Sequence, residues 1–233
     1  TDYIFHCAAQ AKVPLSIERP EFTHAHNVDG TFRLLLAARD AHVKKVIYSA
    51  SSSAYGEQKT LPLKEDMVPN PMNPYAVQKL IGEHYCKVFS SVYGLPTVSL
   101  RYFNVYGEGM PADNPYNACI ANFLSLAKKK WKLPVYGGKQ TRDFTYVKDV
   151  VMANIHAMSS DKVGNGEVIN IGSGKNYSID EIAKTLSDKI EYSPQRIGEP
   201  MATLADNNLA KELLNWSPTQ DVIDWLKNYA KST

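Results

Sequence analysis

KVIYSASSS, residues 45–53, runs an apolar strand into three serines, and further along NPYAVQK, residues 73–79, sets Tyr75 and Lys79 four positions apart. On a helix that spacing places both side chains on one face. A phenol is a weak base at neutral pH, and a neighbouring ammonium favours its ionised form. A serine delivered from the end of the strand can then share or relay the proton. These two stretches predict a strand-then-helix unit that assembles an acid–base centre from Ser51, Tyr75 and Lys79.

Outward from this unit, short apolar runs alternate with amphipathic ones, the pattern of an α/β domain with a largely parallel sheet. YIFHCA reads as a buried strand. From about Pro20 to Ala41 a helix is expected, with Phe32, Leu35, Leu36 and Ala38 at helical spacing. The helix of PYAVQKLIGEHYCKVFSSVYG should close on Gly94, and TVSLRYFN is the next strand. Sheets of this kind present ligands at the carboxyl ends of their strands, which is where Ser51 and Asn104 fall.

After Tyr106 the pattern loosens. NACIANFLSLAKKK reads as a helix, and VYGGKQTRDFTYVKDVVMANIHAM as a short strand, a loop and a helix. Ser178 and Glu181 form a capping box. Two short helices flank Pro218, with Trp216 and Trp225 as packing residues. Residues 1–106 are therefore expected to form a sheet domain, and 107–233 mainly a smaller lobe with some segments returning to the sheet.

Bulk properties narrow the classes. The 233 residues are 44% hydrophobic and 21% charged, with a formal net charge of +2. That balance suits a globular protein and gives no sign of nucleic-acid binding. No stretch is apolar enough to span a bilayer. Cys7, Cys86 and Cys119 show no metal spacing and suit a reducing, cytoplasmic setting. His24 and His26 lack a third ligand, and Arg101 reads as structural.

Eight segments in order resemble the extended short-chain dehydrogenase/reductase superfamily, and within it the nucleotide-sugar 4-epimerases: HCAAQAKVPLS, NVDGT, SASSSAYG, NPYAVQK, LRYFNVYG, TRDFTYVKDV, NIGSG and RIGEP…LADNNLAKELLNWSP. The resemblance implies a Rossmann-like doubly wound parallel sheet with a C-terminal substrate-binding α/β lobe. It also implies an NAD-dependent isomerase that inverts C4 of a UDP-hexose through a 4-keto sugar, working as a homodimer. The family's opening strand, glycine-rich turn and second-strand acid have no counterpart here. The chain is thus expected to start at the family's fourth strand as an N-terminally truncated piece, itself inactive.

Residue by residue, the resemblance implies that Tyr75 is the acid–base group, tuned by Lys79, and that Ser51 bridges Tyr75 and the sugar. Cys7, Ala8, Ala9, Gln10, Ala11, Asn27, Ser49 and Phe103 would line NAD together with Tyr75 and Lys79. Val13, Ser52, Ser53 and Asn104 would face the hexose and diphosphate. Ala118, Ile120, Val135 and Tyr136 would enclose the uridine, Arg142 and Arg196 clamp the diphosphate, and Glu199 bind the ribose. Thr203 would wall the hexose near C2, where a small residue leaves room for an acetamido group. Dehydratases of the superfamily carry Asp-Glu where Ser52-Ser53 stand here, which favours epimerisation. A UDP-glucuronate decarboxylase, and a non-catalytic nucleotide- or partner-binding relative, are the other readings.

Overall fold

The computed structural model describes residues 1–110, 119–194 and 198–232. β1 (Tyr3–His6) leads through α1 (Val13–Glu18) and α2 (Pro20–His24) into a π-helical turn, Ala25–Asp29, which continues as α3 (Gly30–Asp40). β2 (Lys45–Ser51), a 3₁₀ turn (Ser52–Tyr55) and α4 (Pro74–Tyr93) follow. β3 (Thr97–Tyr102), β4 (Asn104–Tyr106), α5 (Cys119–Lys128), β5 (Leu133–Tyr136), β6 (Thr141–Tyr146) and α6 (Val147–Ser159) come next. β7 (Asn165–Ile171), β8 (Asn176–Ser178), α7 (Ile179–Leu186), β9 (Ile190–Ser193), α8 (Asn208–Leu214) and α9 (Val222–Ser232) complete the order.

Lys45–Ala50 is buried along its whole length, as befits a central parallel strand covered on both faces. The main sheet runs β1-β2-β3-β7, all parallel, so β7 from the second half of the chain lies beside β3. One face packs Val46, Tyr48 and Ala50 against Leu35 and Ala38 of α3 and Cys86 and Phe89 of α4. The other face packs Ile47, Val98 and Leu100 against Val150 and Ala153 of α6 and Ala210 and Leu214 of α8, with Trp216. A separate core joins α5, α7 and α9 through Phe123, Ile182 and Leu226, backed by β5 paired with β9. A third small sheet, β4-β6-β8, lies between.

Local signals account for the helix ends. Asn73 caps α4 by accepting from the Ala76 N–H at 2.9 Å, Pro74 follows it, and Gly94 closes the helix in the left-handed region at φ 67°. The Ser178–Glu181 capping box opens α7 as its sequence indicates. Gly82 sits where any Cβ would meet the Tyr48 hydroxyl at 2.2 Å, so α4 rests directly on β2.

Four elements differ from the sequence reading. YIFHCA is not a buried strand: β1 lies at the end of the strand order, with Tyr3 and Phe5 exposed. The helix from Pro20 widens into a π turn at Asn27, whose buried side chain bonds outside the helix. TRDFTY is a strand rather than a loop; its buried Arg142, Asp143 and Thr145 hide the apolar alternation that marks strands. TVSLRYFN is not one strand: β3 stops at Tyr102, and Asn104 begins β4 in the small sheet.

Candidate active site

α4 carries the acid–base helix. Two hydrogen bonds seat its first turn beyond its own cap: the Tyr75 N–H donates to the buried Ser16 Oγ at 3.1 Å, and Asn73 Nδ2 donates to the Gly198 carbonyl at 3.0 Å. Deeper in the helix, Glu83 takes a bidentate grip on Arg101 of β3, at 2.9 Å and 2.7 Å, with both side chains buried. The helix is thereby fixed against the strand ends that face it.

Ser51 and Tyr75 come together as expected. The Ser51 hydroxyl lies near enough to the Tyr75 phenol to favour its ionised form, while Ser53 donates to Ser51 Oγ from its N–H at 3.2 Å and from its hydroxyl at 2.8 Å. With those two bonds accepted, the Ser51 hydroxyl keeps its own proton to donate. Burial pushes the Tyr75 phenol above its ordinary value, and Ser51 pulls it down.

Lys79 does not produce the lowered phenol that the spacing suggests; the net shift of Tyr75 is upward. Its ammonium donates to the Ser49 carbonyl at 2.7 Å and lies 5.0 Å over the Tyr48 ring. Burial brings Lys79 itself down to about 8. The same surroundings take His6 down to about 4, through burial and then the Lys79 charge.

Around Lys79 the residues expected to meet a cofactor divide in two. Cys7, Ala8 and Ala11 are exposed, Ala9 and Gln10 half-buried, and Ser49 Oγ lies 3.4 Å from Cys7 Sγ and 3.3 Å from the Tyr102 hydroxyl. Asn27 is instead an internal bracket. It accepts from the Gln10 N–H at 2.7 Å, donates to the Gln10 carbonyl at 3.0 Å and donates to Gln78 at 2.8 Å. It ties the loop after β1 to the Tyr75 helix.

A cleft of about 310 Å³ opens beside Ser51, Ser52 and Ser53. Val13, Asn104, Tyr136, Arg142, Glu199 and Thr203 line it, and so does Phe103, which the resemblance sets on the cofactor side. Arg142, buried, donates to the Thr141 carbonyl at 2.9 Å and meets Glu199 at 3.2 Å, so two groups expected to hold different parts of a nucleotide pair with each other. Thr203 Oγ1 accepts from the Asp143 N–H at 3.2 Å. Asp143 has no exposure; its carboxylate accepts from Ser173 N and Oγ, Gly174 N and Ala205 N at 2.7–3.1 Å. Burial raises it and those donors pull it back.

Ile120 and Val135 are corrected by the structure. Both are buried in the core of α5, α7 and α9, because β5 alternates Leu133 and Val135 inward with Pro134 and Tyr136 outward, and α5 turns Ile120 and Phe123 toward that core. Asn122, Phe123, Pro134 and Tyr136 form that wall of the cleft. Ala118 and Arg196 lie outside the described residues. Tyr102, Asn73 and Gln140 also line the cleft and were not anticipated. The NPYAVQK motif contains Asn73 and LRYFN contains Tyr102, whereas Gln140, whose amide donates to the Tyr136 carbonyl, carries no sequence signal of its own.

The sequence pattern of the NAD dependent epimerase/dehydratase family matches residues 1–172. A putative UDP-glucose 4-epimerase of Methanocaldococcus jannaschii is 34% identical, over 97% of this chain and 77% of its own length. The solved UDP-N-acetylglucosamine 4-epimerase of Methanobrevibacter ruminantium, in complex with UDP-N-acetylmuramic acid, superposes with a TM-score of 0.92 at 37% identity, covering 99% of this chain and 76% of that one. The UDP-glucuronic acid 4-epimerase of Bacillus cereus, in complex with UDP-glucuronic acid and NAD, gives 0.91 at 34% identity, covering 99% and 76%. With a parallel sheet, Ser51 at the carboxyl end of its central strand beside the Tyr75 helix, and this likeness over nearly the whole of its length, the chain belongs to the NAD-dependent epimerase/dehydratase family.

Proposed function

We propose that the protein interconverts UDP-hexoses by inverting the configuration at C4, with NAD as the cofactor. The observation that carries this reading is a cleft lined by Ser51 on one side and Arg142 on the other, with the Ser51 hydroxyl near the buried Tyr75 phenol. As a phenolate, Tyr75 beside the Ser51 hydroxyl can take a proton from a sugar hydroxyl, and as the phenol so formed it can return it. Arg142 offers a planar guanidinium to a diphosphate. Its pairing with Glu199 keeps that charge balanced until an anion competes for it.

The residues at the Lys79 end fit a dinucleotide. Lys79 commits one described hydrogen bond to Ser49 and has three donors, enough to engage a ribose diol as well. Ala8 and Ala9 leave room for close approach, and Phe103 keeps its carbonyl while its N–H bonds Ile171. Lys79, Ser49, Cys7, Ala8, Ala9 and Phe103 would hold the nicotinamide half, with Asn27 setting Gln10 and its loop. NAD supplies a hydride acceptor that gives the hydride back, so none is consumed. Tyr75 holds the 4-hydroxyl proton in the meantime, and Ser51 orients both oxygens. Inversion requires the sugar to present its other face, so Ser52, Ser53 and Thr203 must allow it to turn.

The lining of the cleft supports epimerisation over dehydration. Among its described residues the sole carboxylate is Glu199, which is tied to Arg142, so no second acid–base pair stands beside Tyr75. Thr203 supports acceptance of N-acetylated sugars as well as UDP-glucose. Apolar side chains exposed on α3 and α4, among them Phe32, Val88 and Val92, support a homodimer built on those helices. Free thiols at Cys7 and Cys86 support a cytoplasmic location.

The test is Tyr75→Phe, assayed with UDP-glucose and with UDP-N-acetylglucosamine in the protein as it occurs in its cell. Turnover should fall at least about a hundredfold with UDP affinity kept. Near-normal turnover would refute the assignment.

A further inference from the structure

Asn73 makes two side-chain hydrogen bonds that point in different directions. Its Oδ1 accepts from the Ala76 N–H and so caps α4. Its Nδ2 donates at 3.0 Å to the carbonyl of Gly198, far along the chain. Gly198 sits at φ 80°, a conformation that any side chain would strain, with the Met72 carbonyl 3.6 Å from where a Cβ would stand. The next residue, Glu199, pairs with Arg142 on the opposite wall of the cleft. From Met201 onward the segment is stitched down independently, through Met201 O to Thr141 N, Thr203 N to Thr141 O and Leu63 N to Leu204 O. Upstream of those stitches it is Asn73 that takes up the Gly198 carbonyl.

We propose that Asn73 is a positioning residue that sets the distance between the Tyr75 helix and the Glu199–Arg142 pair, and so fixes the cleft at the span a UDP-sugar needs. An N-cap needs only an acceptor, which serine or threonine supplies equally well. The amide nitrogen is what an asparagine adds, and here it is spent on the opposite lobe of the cleft. The proposal deepens the UDP-sugar reading and rests on it.

The two jobs can be separated. Asn73→Ser keeps an acceptor for the cap and is too short to reach Gly198; Asn73→Ala loses both. UDP affinity is measured by calorimetry on the full chain, beside thermal unfolding. Asn73→Ser should bind UDP about five- to tenfold more weakly, with its midpoint about 1–6 °C below the parent for the one hydrogen bond lost. Asn73→Ala should show the same loss of affinity and a lower midpoint. Gly198→Ala disturbs the same contact from the other side, so combined with Asn73→Ser it should weaken binding little further. Unchanged affinity in Asn73→Ser, or full additivity with Gly198→Ala, would overturn the positioning role. A parent protein that does not bind UDP would instead sink the UDP-sugar reading itself.

Discussion

Replacing Glu83 by alanine should destabilise the fold by about 3–5 kcal/mol, because it strands a cation inside the protein. Glu83 and Arg101 have side-chain exposures of 3% and 4%, and their two charge-assisted bonds of 2.9 Å and 2.7 Å satisfy the carboxylate from Nε and Nη2. Arg101 Nη1 already lacks a hydrogen-bond partner and the guanidinium lies 4.5 Å over the Tyr55 ring, with the Glu65 carboxylate left to act on the charge only through space. Against a typical domain stability of about 5–15 kcal/mol, such a loss is severe. For a chain of this size each kcal/mol is worth about 2–4 °C, so the thermal midpoint should fall by roughly 6–20 °C. Urea unfolding followed by far-UV circular dichroism measures it directly. The double variant Glu83→Leu/Arg101→Met removes both charges and should recover most of the loss, since an apolar replacement of a buried pair is often close to neutral. A single variant within about 1 kcal/mol of the parent would refute the reasoning. So would a double variant as unstable as the single one.

Three further outcomes follow from the site. Arg142→Ala should weaken UDP binding by about 1.5–3 kcal/mol with a smaller effect on the chemical step; unchanged UDP affinity would make Arg142 a purely structural residue. Burial lowers Lys79 from 10.5 to about 8, so folding disfavours its charged form, and the folded state binds fewer protons than the unfolded between those values. The parent should therefore gain stability relative to Lys79→Met as pH rises from about 8 to 10.5, read by urea melts at both ends, and a constant difference would contradict the lowered value. Thr203→Tyr should abolish turnover of UDP-N-acetylglucosamine and spare UDP-glucose, since Thr203 is 5% exposed at the cleft wall and a ring there leaves room only for the smaller substituent; loss of both activities would place the limit elsewhere.

What could be read from the sequence depends on how far each signal reaches. The Asn73 cap, the Gly94 terminus and the Ser178–Glu181 box act within one helical turn, and each stands in the structure where its residues put it. Tyr75 and Lys79 share a helix, yet the spacing could not tell that Lys79 bonds Ser49 across to β2. Val135 lies on a strand, where side chains alternate, and Ile120 on a helix, where the next side chain points elsewhere, so an error of one residue exchanges a wall of the cleft for the core in both. The Arg142–Glu199 and Asn73–Gly198 contacts join residues 57 and 125 positions apart. No local pattern announces such pairs. β6 was hidden for a related reason: its polar residues are buried against other segments rather than against solvent.

That strand also constrains how the protein can change over time. Arg142 and Asp143 are consecutive, and a pleated chain sends them to opposite sides: the guanidinium to the cleft, the carboxylate to the donors of Ser173, Gly174 and Ala205. One dipeptide thus faces the cleft and the scaffold at once. A single residue inserted within the strand directly before Arg142 would swap the two, aiming an anion into the cleft and burying a cation among N–H donors. Lineages derived from this chain should therefore vary in the length of the turn before β6 and in the residues beside it, while the register of Arg142 and Asp143 is held.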